Sequence, residues 1–402
     1  MRVLTFTSLF PNASQPLLGI FVAKRMAAFA RRPGNVVEVI APVPYFPRWA
    51  VWSRRRVFAR IPQEEIIGDL TVGHPRYWLL PKVSMALHGW IMYRGSLALA
   101  RRLHAHAPFD CIDAHYAYPD GFAAMLIGRA LDVPVVVSAR GTDINLFPSF
   151  PSILPLIRRT LERAAGIIAV SEALKEAIVD LGTPAAKIRV IPNGIDPGQF
   201  RHIDQKEARR VLGLPETGTM LLSVGGLSQH KGFHLLISAL ADLSPRYPDL
   251  RLYIVGEGTY RGEIEALIRR CALQAHIVLT GSRLNEQLLY WYNAADLTCL
   301  ASLREGMPNV VLESLACGTP VLATRVGGMP EVVRPGENGV LVEPHSQAIA
   351  EGLEYALKMD WDHSTLSREA VKRTWDVVAA EVEAYLKSFL PRADHRTAKT
   401  AR

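Results

Sequence analysis

The sequence predicts an α/β protein built from two doubly wound parallel-sheet domains. Short apolar runs of β-forming residues alternate with helical patterns of roughly a dozen residues, as parallel strands joined by right-handed crossovers require. The chain has 402 residues, too many for one ordinary core and suited to two. A turn-rich run from Pro192 to Phe200 follows a strand near the middle and marks the break.

In the first domain, residues 1–195, strands are expected at 2–7, 36–41, 111–114, 133–138, 166–170 and 188–191. In the second, residues 196–375, they are expected at 220–224, 250–255, 276–280, 295–300 and 320–324. Residues 391–402 read as a polar tail. Ligands of open parallel sheets sit beyond the carboxyl ends of the strands, so two such domains facing each other would hold a substrate in the cleft.

Apolar residues make up 49% of the chain, which is globular in composition. Cys111, Cys271, Cys299 and Cys317 form no CxxC pair, and free thiols in a reducing compartment are expected. Met1 leads straight into a strand, so no signal peptide is expected. The apolar stretch 83–93 contains His88, is bounded by Lys82 and Arg94, and is too short to span a bilayer. A cytoplasmic location is expected. Charge is uneven: residues 1–200 hold 23 Lys+Arg against 14 Asp+Glu, residues 201–402 hold 23 against 24. The basic half suits an anionic partner.

The run Arg304-Glu305-Gly306-Met307-Pro308-Asn309-Val310-Val311-Leu312-Glu313 sets two carboxylates around a loop that turns into a helix. A buried strand precedes it, and Gly318 stops the helix. Pro308 suits a first helical position, where its missing N–H costs nothing. The amides of Met307, Asn309 and Val310 would then point out of the helix start, a ready anion site. At about 1.5 Å rise per residue, Glu305 and Glu313 flank that site. A diphosphate between a sugar and a ribose fits, with one acid for the hydroxyls on each side.

This stretch resembles the E-x7-E motif of glycosyltransferase family 4, retaining enzymes with the GT-B fold of two Rossmann-like domains. The resemblance continues through residues 316–321 and 327–332 and recurs at intervals over nearly the whole chain. It implies that Glu305 lies by the donor sugar and Glu313 binds the nucleotide ribose, with Gly306 in the loop between. Residues 223–232 resemble the family's G-R-L-x-x-x-K-G loop and place Gly225, Gly226 and Lys231 at the diphosphate. Lys231 would stabilise the charge building on the leaving nucleotide. The family often has Arg where this chain has Gly226, so the remaining charge would come from Lys231 and the helix start at Asn309, or from another Arg. Glu257, in a tight turn after a strand, is a ligand contact or a surface acid. Arg283 lies along the base or is a surface arginine.

In the first domain, Gly19 either lets the backbone approach the phosphate or donor sugar or is a plain loop glycine. His115, at a strand's carboxyl end, matches the family histidine near the sugar. Arg140 and Asp143 lie in a segment resembling the family's H-G-x-D with Arg for His, and are assigned to the donor–acceptor cleft. Ser171 reads mainly as a helix cap. The last helix, about residues 376–389, is expected to cross back to the first domain, as the resemblance implies.

No DxD, HExxH or cysteine cluster suggests a metal site, and no P-loop or complete dinucleotide fingerprint is present. The resemblance implies catalysis without an essential divalent ion, and no cofactor beyond a nucleotide diphosphate sugar as donor substrate. Two aromatic and basic segments, residues 45–56 and 77–102, suit a bilayer interface. The acceptor is therefore expected to be a lipid-linked or membrane-proximal saccharide, and the partner an anionic membrane surface, the inner face of the plasma membrane, rather than nucleic acid. The reading is a transferase of class EC 2.4 in surface polysaccharide or glycolipid biosynthesis. A GT-B-type sugar-nucleotide epimerase, which needs no acceptor, and a non-catalytic nucleotide-sugar-binding protein are the alternatives.

Overall fold

The structure, a computed structural model, describes residues 1–45, 56–78 and 85–390. Most of the first aromatic and basic run (46–55), part of the second (79–84) and the expected polar tail (391–402) lie outside the described residues. The chain divides into two compact units, Met1–Pro192 with the chain from Trp375 onward, and Asn193–Thr374.

The first unit carries strands β1 (Arg2–Phe6), β2 (Val36–Ile40), β3 (Glu64–Ile67), β4 (Leu70–Gly73), β5 (Cys111–His115), β6 (Val135–Ser138), β7 (Gly166–Ala169) and β8 (Ile188–Val190). Their order is β8-β7-β6-β5-β1-β2-β4-β3, and only β3 and β4 pair antiparallel. Every residue of β5, β6 and β7 is buried, which is why β6 and β7 read as nearly continuous apolar runs, while β5 buries Asp113 and His115 among its apolar residues. The β3–β4 hairpin was not expected from the sequence. Ile67 pairs with Leu70, leaving a two-residue loop in which Gly68 adopts φ 57°. Glu64 and Glu65 have weak strand propensity, but they suit an edge strand, where charge deters further pairing.

The helix Trp375–Lys387 packs on the helix Ile20–Arg31. Trp375, Val378, Val382 and Leu386 enter the same core as Val22, Met26 and Phe29. Burying side chains of this size contributes about 1.5–3 kcal/mol each, enough to hold the terminal helix on this unit. Glu383 adds ion pairs to Arg32 and Lys387.

The second unit carries β9 (Met220–Val224), β10 (Arg251–Val255), β11 (Ile277–Gly281), β12 (Leu297–Leu300), β13 (Val321–Thr324) and β14 (Gly339–Val342). All pair parallel in the order β11-β10-β9-β12-β13-β14. β14 was also not expected; its four residues are too short a run to separate from a loop by pattern. The unit boundary falls three residues before the expected one. The Ile195 amide donates to Arg373 O at 2.9 Å, which ties residues 193–195 to the second unit.

Candidate active site

In the second unit the strand order reverses between β9 and β12, which makes the crevice beyond their carboxyl ends the expected ligand position. Two loops meet there. The first leaves β9 at Gly225, makes a short 3-10 turn over Gln229–Lys231 and enters the helix Phe233–Leu243. Gly232, at φ 67°, lets this turn lie against the second loop: a Cβ there would sit 1.7 Å from Ala301 O. The second loop leaves β12 and carries Ser302 to Pro308. Leu303 N donates to His230 O at 2.8 Å, which ties the loops together.

This packing brings the two principal predicted residues into contact. Lys231 Nζ lies 2.6 Å from Glu305 Oε1, and Ser302 Oγ donates to the same oxygen at 2.7 Å. The pair is partly open, with side chains 26% and 11% exposed. A cation held this way is oriented by Glu305 and still within reach of solvent.

The helix Asn309–Ala316 follows. Pro308 is its N-cap, with φ −79° and ψ 110°, rather than the first helical residue expected from the sequence. The extended ψ arises because the chain is still turning out of the loop at that point. Among the described residues, no protein acceptor takes the amides of Met307, Asn309 or Val310, while Val311 N turns back to Pro308 O at 3.2 Å. These are the donors that a helix start leaves for an anion. Asn309 Oδ1 accepts from Asn193 Nδ2 at 2.8 Å, which fixes its side chain. Glu313, half-buried one turn later, accepts from the Tyr292 hydroxyl at 2.8 Å. Tyr292 is fully buried, and burial followed by the Glu313 charge holds its hydroxyl protonated far above the usual range. Gly318 closes the helix at φ 80°, as the sequence suggested.

Gly225 and Gly226 lie in the first loop, yet neither is demanded by crowding. A Cβ at Gly226 would find nothing nearer than Glu257 O at 3.9 Å. Glu257 is exposed and pairs with Arg261 at 2.6 Å, one helical turn on. Arg283 is exposed and its guanidinium lies 5.9 Å from the Trp291 ring centroid. These two residues therefore sit at the ends of β10 and β11 with protein partners of their own.

In the first unit the order reverses between β1 and β5. Arg25, on the helix Ile20–Arg31, pairs with Asp113 of β5 and donates to Ser138 Oγ at 2.9 Å. Ser138 in turn donates to Asp113 Oδ1 at 2.8 Å. His115 Nε2 lies 3.3 Å from Asp113 Oδ2, and Arg140 Nε donates to His115 Nδ1 at 3.1 Å. The Arg140 guanidinium stacks 5.2 Å from the Phe21 ring centroid. Burial would raise the Asp113 carboxyl, but Arg25 and His115 hold it well below the usual carboxylate range. Burial pushes the His115 imidazole down to about 3, against the pull of Asp113 and with the help of Arg140. The imidazole is therefore neutral, accepting from Arg140 at Nδ1 and carrying its hydrogen on Nε2.

The sequence points to His115 as a catalytic residue near the sugar and to Asp143 as a residue of the donor–acceptor cleft; in the structure both side chains are fully buried. Asp143 accepts from the amides of Ala117, Arg140 and Gly141 at 2.8, 3.0 and 2.9 Å, so its carboxylate orders the strand-end loops. Arg140, half-buried, is the member of this cluster nearest solvent. Gly19 caps the first helix at φ 61°, and a Cβ there would meet Leu9 O at 2.2 Å. Its need for glycine thus comes from its own loop. Ser171 Oγ accepts from Leu174 N at 3.2 Å, the capping role expected of it.

Arg25, Asp113, Ser138, Tyr292 and Ser302 were not singled out from the sequence. A signal existed for the first two. Arg25 interrupts the apolar stripe of Val22, Met26 and Phe29, and Asp113 interrupts a buried strand; such charges persist only when paired. Among the described residues, no group of three or more His, Cys, Asp or Glu could hold a metal ion.

Residues 22–199 match the family model described as Glycosyltransferase Family 4, and residues 204–373 match that described as Glycosyl transferases group 1. The chain is 28% identical over 394 residues to the putative teichuronic acid biosynthesis glycosyltransferase TuaC of Bacillus subtilis, covering 96% of this chain and 95% of that one. It is 30% identical over 314 residues to the D-inositol 3-phosphate glycosyltransferase of Corynebacterium jeikeium, covering 72% and 74%. Among solved structures, Anabaena HepE in complex with UDP-glucose shares the fold at a TM-score of 0.71 and 21% identity, over 96% of this chain and 99% of that one.

Proposed function

The chain is a glycosyltransferase of family 4 with the GT-B fold, and on that premise we propose that it is a retaining enzyme using a nucleotide diphosphate sugar. The acceptor is a hydroxyl of a lipid-linked or membrane-proximal saccharide, in the synthesis of a surface polysaccharide or glycolipid. The observation that carries the donor side is the Lys231–Glu305 pair beside the open amides of Met307, Asn309 and Val310, at the switch point of the second sheet. The diphosphate lies against these amides and Lys231, the ribose hydroxyls donate to Glu313, and the sugar lies by Glu305. As the sugar–phosphate bond breaks with oxocarbenium character, Lys231 and the amides take up the departing charge in place of a divalent ion. The acceptor hydroxyl attacks from the same face and passes its proton to the departing phosphate oxygen, which retains the anomeric configuration. The bound UDP-glucose of HepE supports a nucleotide-sugar donor by likeness of fold.

On the acceptor side, Tyr45, Trp78, Met85, Leu87 and Trp90 are exposed, with Trp78 at 70% and Leu87 at 58%. Along the helix His88–His106, Trp90, Arg94, Arg101 and Arg102 are all exposed, at helical spacing suited to one face. Aromatic and basic residues together suit an anionic lipid surface. Among the described residues, no helix is long and apolar enough to cross a membrane. The name of TuaC supports a polysaccharide product.

A thermal-shift screen of UDP, GDP and ADP sugars, followed by NMR of the product formed with the best donor, tests the reading. One nucleotide class should stabilise the protein, and the product should keep the donor's anomeric configuration. An inverted product, or conversion of the donor without any acceptor, would overturn it. Flotation with vesicles that contain anionic lipid tests the acceptor side, and salt-insensitive failure to float would remove it.

A further inference from the structure

Lys231 does not meet the diphosphate as an unmatched charge, because Glu305 lies 2.6 Å from its ammonium. A leaving nucleoside diphosphate gains negative charge as the sugar departs, so a site built this way calls for a second cation. The loop after β12 carries one. Residue 303 is hydrogen-bonded to residue 230, and residue 305 is paired with residue 231. Arg304 lies between these two ties, so its backbone is fixed beside the 229–231 turn. Its side chain is exposed and makes no ion pair or hydrogen bond among the described residues. Its charge is felt at the turn. The His230 imidazole is pushed down first by burial, then by Lys231 and Arg304, against Glu305.

Gly226 lies in the first loop, ahead of the same turn. It is exposed, its φ is not in the left-handed region, and an added Cβ would have no neighbour within 3.9 Å. The neighbouring Gly225 is as open, its nearest contact being Lys231 Cε at 4.0 Å. The first loop thus brings backbone and space beside Lys231, and the second loop brings the unengaged guanidinium.

We propose that Arg304 is a substrate-binding residue that grips the diphosphate of the nucleotide opposite Lys231. A guanidinium can hold two phosphate oxygens at once, which an ammonium cannot. The assignment rests on the nucleotide-sugar reading of the same site. It divides the work there: Lys231, oriented by Glu305, faces the bond that breaks, and Arg304 holds the diphosphate from the solvent side.

Calorimetric titration of the full chain with UDP, GDP, ADP and their monophosphates tests it. Wild type should prefer one diphosphate to its monophosphate. Arg304→Ala should weaken that diphosphate about 10- to 100-fold, the scale of one charge-assisted contact, and leave the monophosphate nearly unchanged. Arg304→Lys should fall between. Gly226→Arg added to Arg304→Ala should restore diphosphate binding from the other loop. Diphosphate affinity within twofold of wild type in Arg304→Ala, or equal losses for both nucleotides, would overturn the assignment and leave the donor reading standing. No preference for any diphosphate in wild type would take down the donor reading and this assignment together.

Discussion

Each unit keeps an ion pair at the carboxyl end of its central strands, and the two pairs differ in what surrounds them. Arg25 and Asp113 are sealed, with side chains 1% and 0% exposed. Lys231 and Glu305 are 26% and 11% exposed. The sealed pair is embraced by Ser138 and His115 and is shut off from solvent. The open pair shares its surroundings with unpaired amides and a solvent-facing arginine. On the proposed function, two cation–carboxylate pairs serve differently, one as a strut in its unit and the other as a working group. Desolvation decides which, because a sealed charge cannot exchange its partner.

Breaking each pair should therefore give opposite phenotypes. Asp113→Ala leaves the Arg25 charge buried and uncompensated, and should destabilise the protein by about 3–5 kcal/mol. Urea unfolding checks this. Lys231→Ala removes a partly exposed charge and should move the same transition by about 0.5 kcal/mol or less. An unchanged midpoint for Asp113→Ala would erase the distinction.

The catalytic side of the comparison is next in size. Lys231→Ala should lower kcat by roughly 10²–10³, the scale for one preorganised charge stabiliser. Glu313→Gln keeps an acceptor for the Tyr292 hydroxyl but loses the charge, so it should weaken nucleotide binding about tenfold with kcat little changed. Steady-state kinetics with the donor found by thermal shift separates the two. Near-wild-type kcat in Lys231→Ala would make the open pair a second strut.

The difference between the pairs also marks how far the sequence could be read. The pieces of the second unit's candidate site can be picked out in the sequence because they are local: Gly225 to Gly232 is one loop, and Glu305 to Glu313 is one loop and the helix start. The first unit's cluster is assembled from a helix and two strands far apart in sequence. Arg25, Asp113 and Ser138 each look like a polar exception in an apolar element, and nothing local says that they meet. For the same reason the sequence alone does not show that His115, expected to be catalytic, and Asp143, expected in the cleft, are fully buried. Their position at strand ends was right, but burial depends on packing that spacing does not reveal. Parallel strands were legible from continuous apolar runs. The β3–β4 hairpin was not, although Gly68-Asp69 between Ile67 and Leu70 is a recognisable two-residue turn.

The smallest effect concerns how the sealed region titrates. Asp120, also fully buried, accepts from the Ser8 amide and, at 3.1 Å, from the Ser8 hydroxyl. Burial pushes its carboxyl up to about 7, with Ser8 pulling back and Asp143 adding to the rise. His115 is shifted the other way, down to about 3. The signs oppose. An unfolded His titrates near ~6.5, so the His115 contribution is present above that pH and fades as pH falls toward 3. An unfolded Asp titrates near ~3.9, so the Asp120 contribution is present below that pH and is lost as pH rises through 7. Between about pH 4 and 6.5 the two slopes offset each other in the wild type. Asp120→Asn removes the second slope alone. Its cost relative to wild type should be greatest near pH 4.5 and shrink toward pH 7.5, at no more than about 1.4 kcal/mol per pH unit. Urea unfolding of both proteins at pH 4.5, 6.0 and 7.5 reads this directly. A cost that stays level across the three would mean that Asp120 carries its charge in the folded protein. The sealed region would then tolerate a buried anion on Ser8 alone, and desolvation would no longer separate the two ion pairs.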